Sequence, residues 1–297
     1  MLTRRRFLGS AIGGVAASVA LRDTLAAGRL AWTKPIGLEL YTVREMFAKD
    51  PAKTLKAVAA AGYQEVEIGP GVKPSELNQD LKAAGLSAPS GYFNSPKTLD
   101  EWKQSVEQAH GYGVRYIVVG DNPRLSADEW KKRADLYNEC GKLSLSQGIQ
   151  FCYHAHFREL ADVDGTTGYD ILLSRCDPKL LKMEMDIFWV IYAGKDPLPY
   201  WKRYPGRFPL LHIKDVRKGV TIHSQEDPPE NGPNPFAPVG QGTIDWSKIF
   251  AHVHEAGAQY IFVEQDRCNL PPLEAIKISY EYLRGLRVTR YSCLPAT

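Results

Sequence analysis

Cysteine is scarce in this chain of 297 residues, and the five present (Cys140, Cys152, Cys176, Cys268 and Cys293) show no C-x-x-C spacing. That pattern excludes a zinc-finger framework and names no disulfide pair, so the thiols read as small buried hydrophobes. No G-x-G-x-x-G follows the first strand-like run, which argues against a dinucleotide-binding open sheet. The formal charge is only +3, part of it in an N-terminal arginine cluster, and Lys and Arg are otherwise dispersed, so no nucleic-acid partner is expected. No apolar run reaches the roughly 20 residues that span a bilayer comfortably, so no stable membrane span is expected. Linkers and low-complexity tracts are also missing. What remains, 44% hydrophobic and 24% charged residues, is the composition of a globular chain with a sizeable core.

The N-terminus stands apart. Thr3-Arg4-Arg5-Arg6-Phe7-Leu8 precedes a modest apolar run from Ala11 to Leu21 and small residues at Ala26 and Ala27. This reads as a twin-arginine signal over residues 1–27, with one barrel domain over 28–297. The chain is therefore expected to meet the twin-arginine export machinery and to act in the periplasm or another exported location. That route carries folded proteins, often with a metal or cofactor already inserted.

Beyond the signal, β-rich runs alternate with segments of helical period. Strand candidates fall near 36–42, 64–69, 85–93, 114–120, 149–156, 180–188, 209–215 and 259–266. Between them lie amphipathic stretches such as "DPAKTLKAVAAAG" and "DWSKIFAHVHEAG", several ending in the glycine that commonly stops a helix. Eight such repeats in a chain of this length predict a single (β/α)₈ TIM barrel, in which the active site lies at the C-terminal ends of the strands. The Pro/Gly-rich stretch "HSQEDPPENGPNPFAPVGQG" is expected to be a long loop over the barrel mouth.

Polar residues should then concentrate at those strand ends. The fifth run closes on "YHAH", the sixth on "MEMDIF", the seventh on "LLHIKD" and the eighth on "IFVEQD". In a strand, residues two apart share a face, so His154 pairs with His156, Glu184 with Asp186, His212 with Lys214 and Glu264 with Asp266. One ligand per strand, His154, Asp186, His212 and Glu264, suits a single divalent cation with mixed nitrogen and oxygen donors. Mn²⁺, Zn²⁺, Co²⁺ and Fe²⁺ are the candidates, since two imidazoles argue against Mg²⁺. His156, further along the strand than His154, is expected to face a substrate instead of the ion. Glu39 and Glu67, on the first two strands, can line the same mouth or be solvated. Tyr41, Phe188, Trp189 and Trp246 fall near strand ends or in the loops beyond, where rings can stack on a sugar or simply pack.

The pieces "IGLELYTVREMFAKDPAKTLKAVAAAGYQEVEI", "YHAHFREL", "MEMDIFWVIYAGKDP", "LLHIKDV" and "VGQGTIDWSKIF", with "YIFVEQD", resemble the sugar phosphate isomerase/epimerase group of xylose isomerase-like barrels. The resemblance runs from Gly37 to Asp266. It implies one divalent metal held by residues of strands five to eight, with Asp186, His212 and Glu264 at the family's positions. At strand five the family's ketose epimerases carry a glutamate that is also an acid/base group; here the residue is His154. A metal-dependent isomerase or epimerase acting on a sugar or polyol beside a carbonyl, through an enediolate, is the leading expectation, with Glu264 as base and His156 and Lys214 as proton carriers. The alternative is a lyase or dehydratase acting on a 3-keto-glycoside or keto-inositol. A non-catalytic periplasmic sugar-binding protein is a third reading, and a homo-oligomer is compatible with each.

Overall fold

The computed structural model describes residues 28–69, 73–220, 228 and 232–288. The export signal expected over 1–27, Cys293 and much of the long loop before Gly232 lie outside the described residues.

Eight parallel strands close into a barrel in chain order. They are β1 (Gly37–Glu39), β2 (Glu65–Ile68), β3 (Ser87–Tyr92), β4 (Tyr116–Val119), β5 (Gln150–Ala155), β6 (Leu181–Asp186), β7 (Leu210–Ile213) and β8 (Tyr260–Val263). All eight fall within the expected runs. The outer helices are α1 (Pro51–Ala60), α2 (Pro74–Ala84), α3 (Leu99–Tyr112), α4 (Ala127–Ser146), α5 (Gly168–Arg175), α6 (Pro197–Arg203), α7 (Trp246–Ala256) and α8 (Pro272–Gly285).

Local chemistry sets the helix ends. Asp50 accepts from the Lys53 amide to start α1, and Ser126 and Glu129 form a reciprocal capping box at α4. Gly113, with φ of 74°, stops α3 in the left-handed conformation that costs glycine least.

Strand alternation separates two apolar layers. Phe151, Tyr153, Met183, Met185, Leu211, Ile213, Ile261 and Val263 face the helices, where Phe151 meets the Trp102 ring at 4.4 Å between centroids. Burying each such side chain contributes roughly 1.5–3 kcal/mol. The opposite faces point into the barrel, and there Val118, Cys152, Leu210 and Phe262 form a separate, fully buried floor. A Cβ on Gly37 would collide with the Phe262 ring, so glycine is what lets that ring lean over the neighbouring strand.

Register then carries polar residues above the floor to matching heights. Glu39 lies opposite Glu67, His154 opposite Glu184, and His212 opposite Asp186. Among the described residues three short antiparallel pairs decorate the barrel, including Asp215–Val216 with Phe236–Ala237 beyond β7. Among the described residues no helix is long and apolar enough to cross a membrane. Cys140, Cys152, Cys176 and Cys268 are free thiols, the first three buried.

Candidate active site

The interior above the floor is acidic and nearly sealed. Glu39, Glu67, Glu184, Asp186 and Glu264 are buried, and Asp266 stands at the rim with its side chain 23% exposed. Facing these carboxyls are His154, His156, His212 and Lys214.

His212 is the hub. Its Nε2 lies 2.6 Å from Glu67 Oε2 and 3.3 Å from Glu184 Oε2, while Nδ1 is 2.7 Å from Glu264 Oε2 and 3.9 Å from Asp186 Oδ2. Burial disfavours its cation, but Glu184 and Glu264 outweigh that and hold the imidazole well above its ordinary pKa. His154 contacts Glu184 Oε2 at 3.0 Å through Nδ1 and approaches Asp186 Oδ2 to 3.9 Å through Nε2. Burial, followed by the neighbouring His156 and His212, pushes His154 well down, so its ring is neutral. Tyr92 donates to Glu184 Oε2 at 3.0 Å, and Ser90 donates to Glu67.

Lys214 occupies the upper level. Its Nζ is 2.7 Å from Glu264 Oε2, 2.9 Å from Asp186 Oδ2 and 3.2 Å from Asp266. Those carboxylates overcome the burial of the ammonium and raise its pKa. Burial lifts Glu264, yet Lys214 and His212 outweigh it and keep the carboxyl well below the usual range. Asp266 goes the other way: burial, with Glu264 and Asp186 adding to it against Lys214, pushes it up to about 7. Burial and the neighbouring Glu67 push Glu184 up to about 8.

The donor set suits a cation. His154, Glu184 and His212 converge, as do Glu39, Glu67 and His212, and Asp186, His212 and Glu264, each trio with ligand atoms within 4.8 Å of one another. Glu184 Oε1 and Glu39 Oε2 are buried without a hydrogen-bond partner. Buried acceptors left unpaired are costly, and a cation is the natural partner for oxygens packed this closely. This cluster could hold a metal ion.

Above the cluster opens a cleft of about 320 Å³ lined by Glu39, Tyr41, Tyr92, His154, His156, Lys214, Glu264 and Asp266. The structure therefore brings together His154, Asp186, His212, Glu264, His156, Lys214 and Glu39, with Tyr41 at the rim. The His154 and His156 rings lie side by side, 4.7 Å between centroids. Burial, then the Lys214 charge, pushes His156 down to about 3, and its Nδ1 has no partner.

Two aromatic expectations need correction. Trp246 does not face the cleft: it is the first residue of α7, is buried, and donates from Nε1 to Asp215 Oδ2 at 2.9 Å. Trp189 is 6% exposed and packed among Phe157, Phe188, Tyr192 and Phe236, so it is not open for stacking on a sugar. It borders the site instead: Lys214 Nζ lies over its ring, 5.5 Å from the centroid, and the His156 ring is 5.6 Å away. Phe188 is likewise fully buried, stacked on Phe236.

Residues missed as site members are Glu184 and Tyr92, together with Asp266 as a titrating group. The alternation that pairs Glu184 with Asp186 and Asp266 with Glu264 was the available signal for two of them. Tyr92 ends β3 in "PSGY" with nothing nearby in sequence to mark it.

A model of the xylose isomerase-like TIM barrel family matches residues 55–286. The chain belongs to that family. It is 26% identical over 254 residues to an inosose dehydratase of Bacillus anthracis, covering 74% of this chain and 84% of the relative. In structure it is similar to a sugar phosphate isomerase/epimerase from Parabacteroides distasonis, with a TM-score of 0.72 and 24% identity over 86% of this chain and 95% of that one. It is also similar to the IOLI protein, which holds a zinc atom, with a TM-score of 0.62 and 16% identity over 84% of this chain and 96% of the other.

Proposed function

We propose that this protein is a divalent-metal-dependent carbon–oxygen lyase that acts on a keto-sugar or keto-polyol, removing a proton beside the carbonyl and expelling an oxygen from the next carbon. The observation that carries this reading is the one-sidedness of the acid/base groups. On the β8 side Asp266 lines the cleft 3.2 Å from Lys214 Nζ, and burial, with Glu264 and Asp186 adding to it, pushes its carboxyl up to about 7, in the range that suits a proton carrier. On the β5 side stand only imidazoles held neutral, His154 and His156. A 3-epimerase returns a proton to the opposite face of its carbon, and a neutral imidazole with so low a pKa is poorly suited to deliver one. An elimination needs a single group that takes the proton from carbon and passes it to the departing oxygen.

In this reading His154, Asp186, His212 and Glu264 hold the cation. When bound, it supplies Lewis-acid polarisation of the substrate carbonyl. Glu264 was the sequence's first choice of base; its low pKa fits an anionic ligand better, and the proton falls to Asp266. Lys214 stays an ammonium and stabilises the oxyanion that develops as the proton leaves. His156 offers its unpartnered Nδ1 to a substrate hydroxyl, and Glu39 lines the cleft beside the cation. The relatives named inosose dehydratase support elimination, and the sugar phosphate isomerase/epimerase neighbour supports the fold. The test is incubation of Mn²⁺-, Co²⁺- or Zn²⁺-loaded protein with 2-keto-myo-inositol and with 3-keto-glucosides, in D₂O. A conjugated enone with loss of the oxygen substituent is expected. Isomerised or epimerised sugar carrying deuterium, without enone, overturns elimination in favour of the isomerase reading. We also propose export through residues 1–27, which a variant with Arg4→Lys and Arg5→Lys tests by its retention in the cytoplasm.

A further inference from the structure

His154 and His212 each present their two ring nitrogens to different carboxylates. Nδ1 of His154 lies 3.0 Å from Glu184 Oε2, whereas its Nε2 faces Asp186 Oδ2 at 3.9 Å. His212 is turned the other way: Nε2 lies 2.6 Å from Glu67 Oε2, and Nδ1 faces Glu264 Oε2 at 2.7 Å and Asp186 Oδ2 at 3.9 Å. A neutral imidazole carries one N–H, so one nitrogen donates and the other offers a lone pair. Asp186 Oδ2 is too far from either ring to accept a hydrogen bond, but close enough for oxygen and nitrogen to share one ion at bonds of about 2.0–2.2 Å.

The acids on the other nitrogens are themselves fixed. Glu67 and Glu184 are fully buried, and β3 supplies a hydroxyl to each: Ser90 donates to Glu67 Oε1, and Tyr92 donates to Glu184 Oε2 at 3.0 Å. Ser90 and Tyr92 are two residues apart on the strand and so share one face. Glu184 Oε2 also comes within 3.3 Å of His212 Nε2, but Glu67 is the nearer to that nitrogen and Glu184 is nearer to His154. The arrangement is one carboxylate to each ring.

We infer that Glu67 and Glu184 are positioning residues and not ligands: Glu184 takes the Nδ1–H of His154 and Glu67 the Nε2–H of His212, so that the metal meets His154 at Nε2 and His212 at Nδ1. This rests on the metal reading of the site and adds to it which nitrogen of each ring binds and which acids stand outside the ligand set. An imidazole whose second nitrogen donates to a carboxylate is held in one tautomer and one orientation, and its free nitrogen is the more basic for it.

Imidazole ¹⁵N NMR on histidine-labelled, Zn²⁺-loaded protein reads the assignment directly, with the two rings identified from His154→Gln and His212→Gln proteins. Zinc is expected on Nε2 of His154 with a proton on Nδ1, and on Nδ1 of His212 with a proton on Nε2. Zinc on the opposite nitrogens, those facing Glu184 and Glu67, overturns the positioning role and makes these acids ligands while leaving the metal reading intact; protein that binds no Zn²⁺ overturns both. Glu67→Ala and Glu184→Ala should each weaken Zn²⁺ affinity, measured by competition with a chromophoric chelator, at least about 10-fold. Gln at either place keeps an acceptor oxygen and should recover part of the loss. The Nε2–H resonance of His212 should move in Glu67→Ala, and the Nδ1–H resonance of His154 in Glu184→Ala. A variant that melts earlier yet keeps its Zn²⁺ affinity and its imidazole resonances shows a merely structural acid and overturns the role.

Discussion

His212→Ala removes the one side chain that touches carboxylates of β2, β6 and β8 together. In the metal-free protein His212 is 1% exposed and lies within 3.3 Å of Glu67, Glu184 and Glu264. Those acids hold the imidazole well above its ordinary pKa, and its charge offsets theirs. Removing one partner from a buried ion pair leaves uncompensated charge and costs about 3–5 kcal/mol. At about 2–4 °C per kcal/mol for a domain near this size, the melting temperature should fall by roughly 6–20 °C. The pH dependence follows from the direction of the shift. Because His212 is raised in the folded state, its contribution is fully present below 6.5, the ordinary histidine value, and is lost as pH rises through the folded value. Scanning calorimetry on chelator-treated protein at pH 6 should therefore show a larger gap between the two proteins than the same measurement at pH 10. Titration with Mn²⁺ should show affinity weakened by at least about 10-fold, the scale of loss reported even for groups outside the ligand set. A drop of less than 2 °C at pH 6, or an unchanged ion affinity, would refute the charged hub.

Asp215→Asn should cost roughly 3 kcal/mol or more in urea unfolding, because the carboxylate accepts from the amides of Val216, Gly240, Gly242 and Ile244 and from Trp246 Nε1. An asparagine turns one acceptor into a donor facing those N–H groups; a loss within 1 kcal/mol would show that the loop holds without it. Glu159 is pushed by burial up to about 7 from 4.5, so its contribution is present below pH 4.5 and lost by about pH 7. Glu159→Gln should accordingly gain stability relative to the original protein between pH 5 and pH 8, by about 3 kcal/mol on the scale of 1.36 kcal/mol per pKa unit; parallel profiles would refute the assignment. His154→Ala should weaken metal binding at least about 10-fold, whereas His156→Ala should keep the metal and lose turnover, and equal metal loss in both would reverse their roles.

The barrel was legible because parallel strands buried on both faces read as short apolar runs, and because each run here ends in a chemically distinct residue. The sixth run shows the limit. "IFWVIY" continues the apolar pattern past Asp186, and periodicity does not separate buried strand from buried helix over so few residues. The chain turns there because Asp186 Oδ1 accepts from the Trp189 amide and caps a helix over Ile187–Tyr192. That same turn tucks Trp189 and Phe188 into packing. Trp246 was misplaced for a related reason: "HIKD" and "GTIDW" lie about thirty residues apart, and only folding reveals that Asp215 gathers the second segment beneath the mouth. The inward acids Glu67 and Glu184 are plain charges in sequence. Their convergence depends on the register of closure, which no single strand encodes.

The fully buried apolar floor made by Val118, Cys152, Leu210 and Phe262, with the Phe262 ring lying against Gly37, closes the barrel behind the site. Any molecule split inside must leave by the way it came in. The fragment nearer the opening has to go first, and the inner fragment stays behind until it does. In the proposed elimination release is thus sequential, and the retained fragment, lying on the residues that bind the next substrate, should act as a competitive inhibitor of every following cycle.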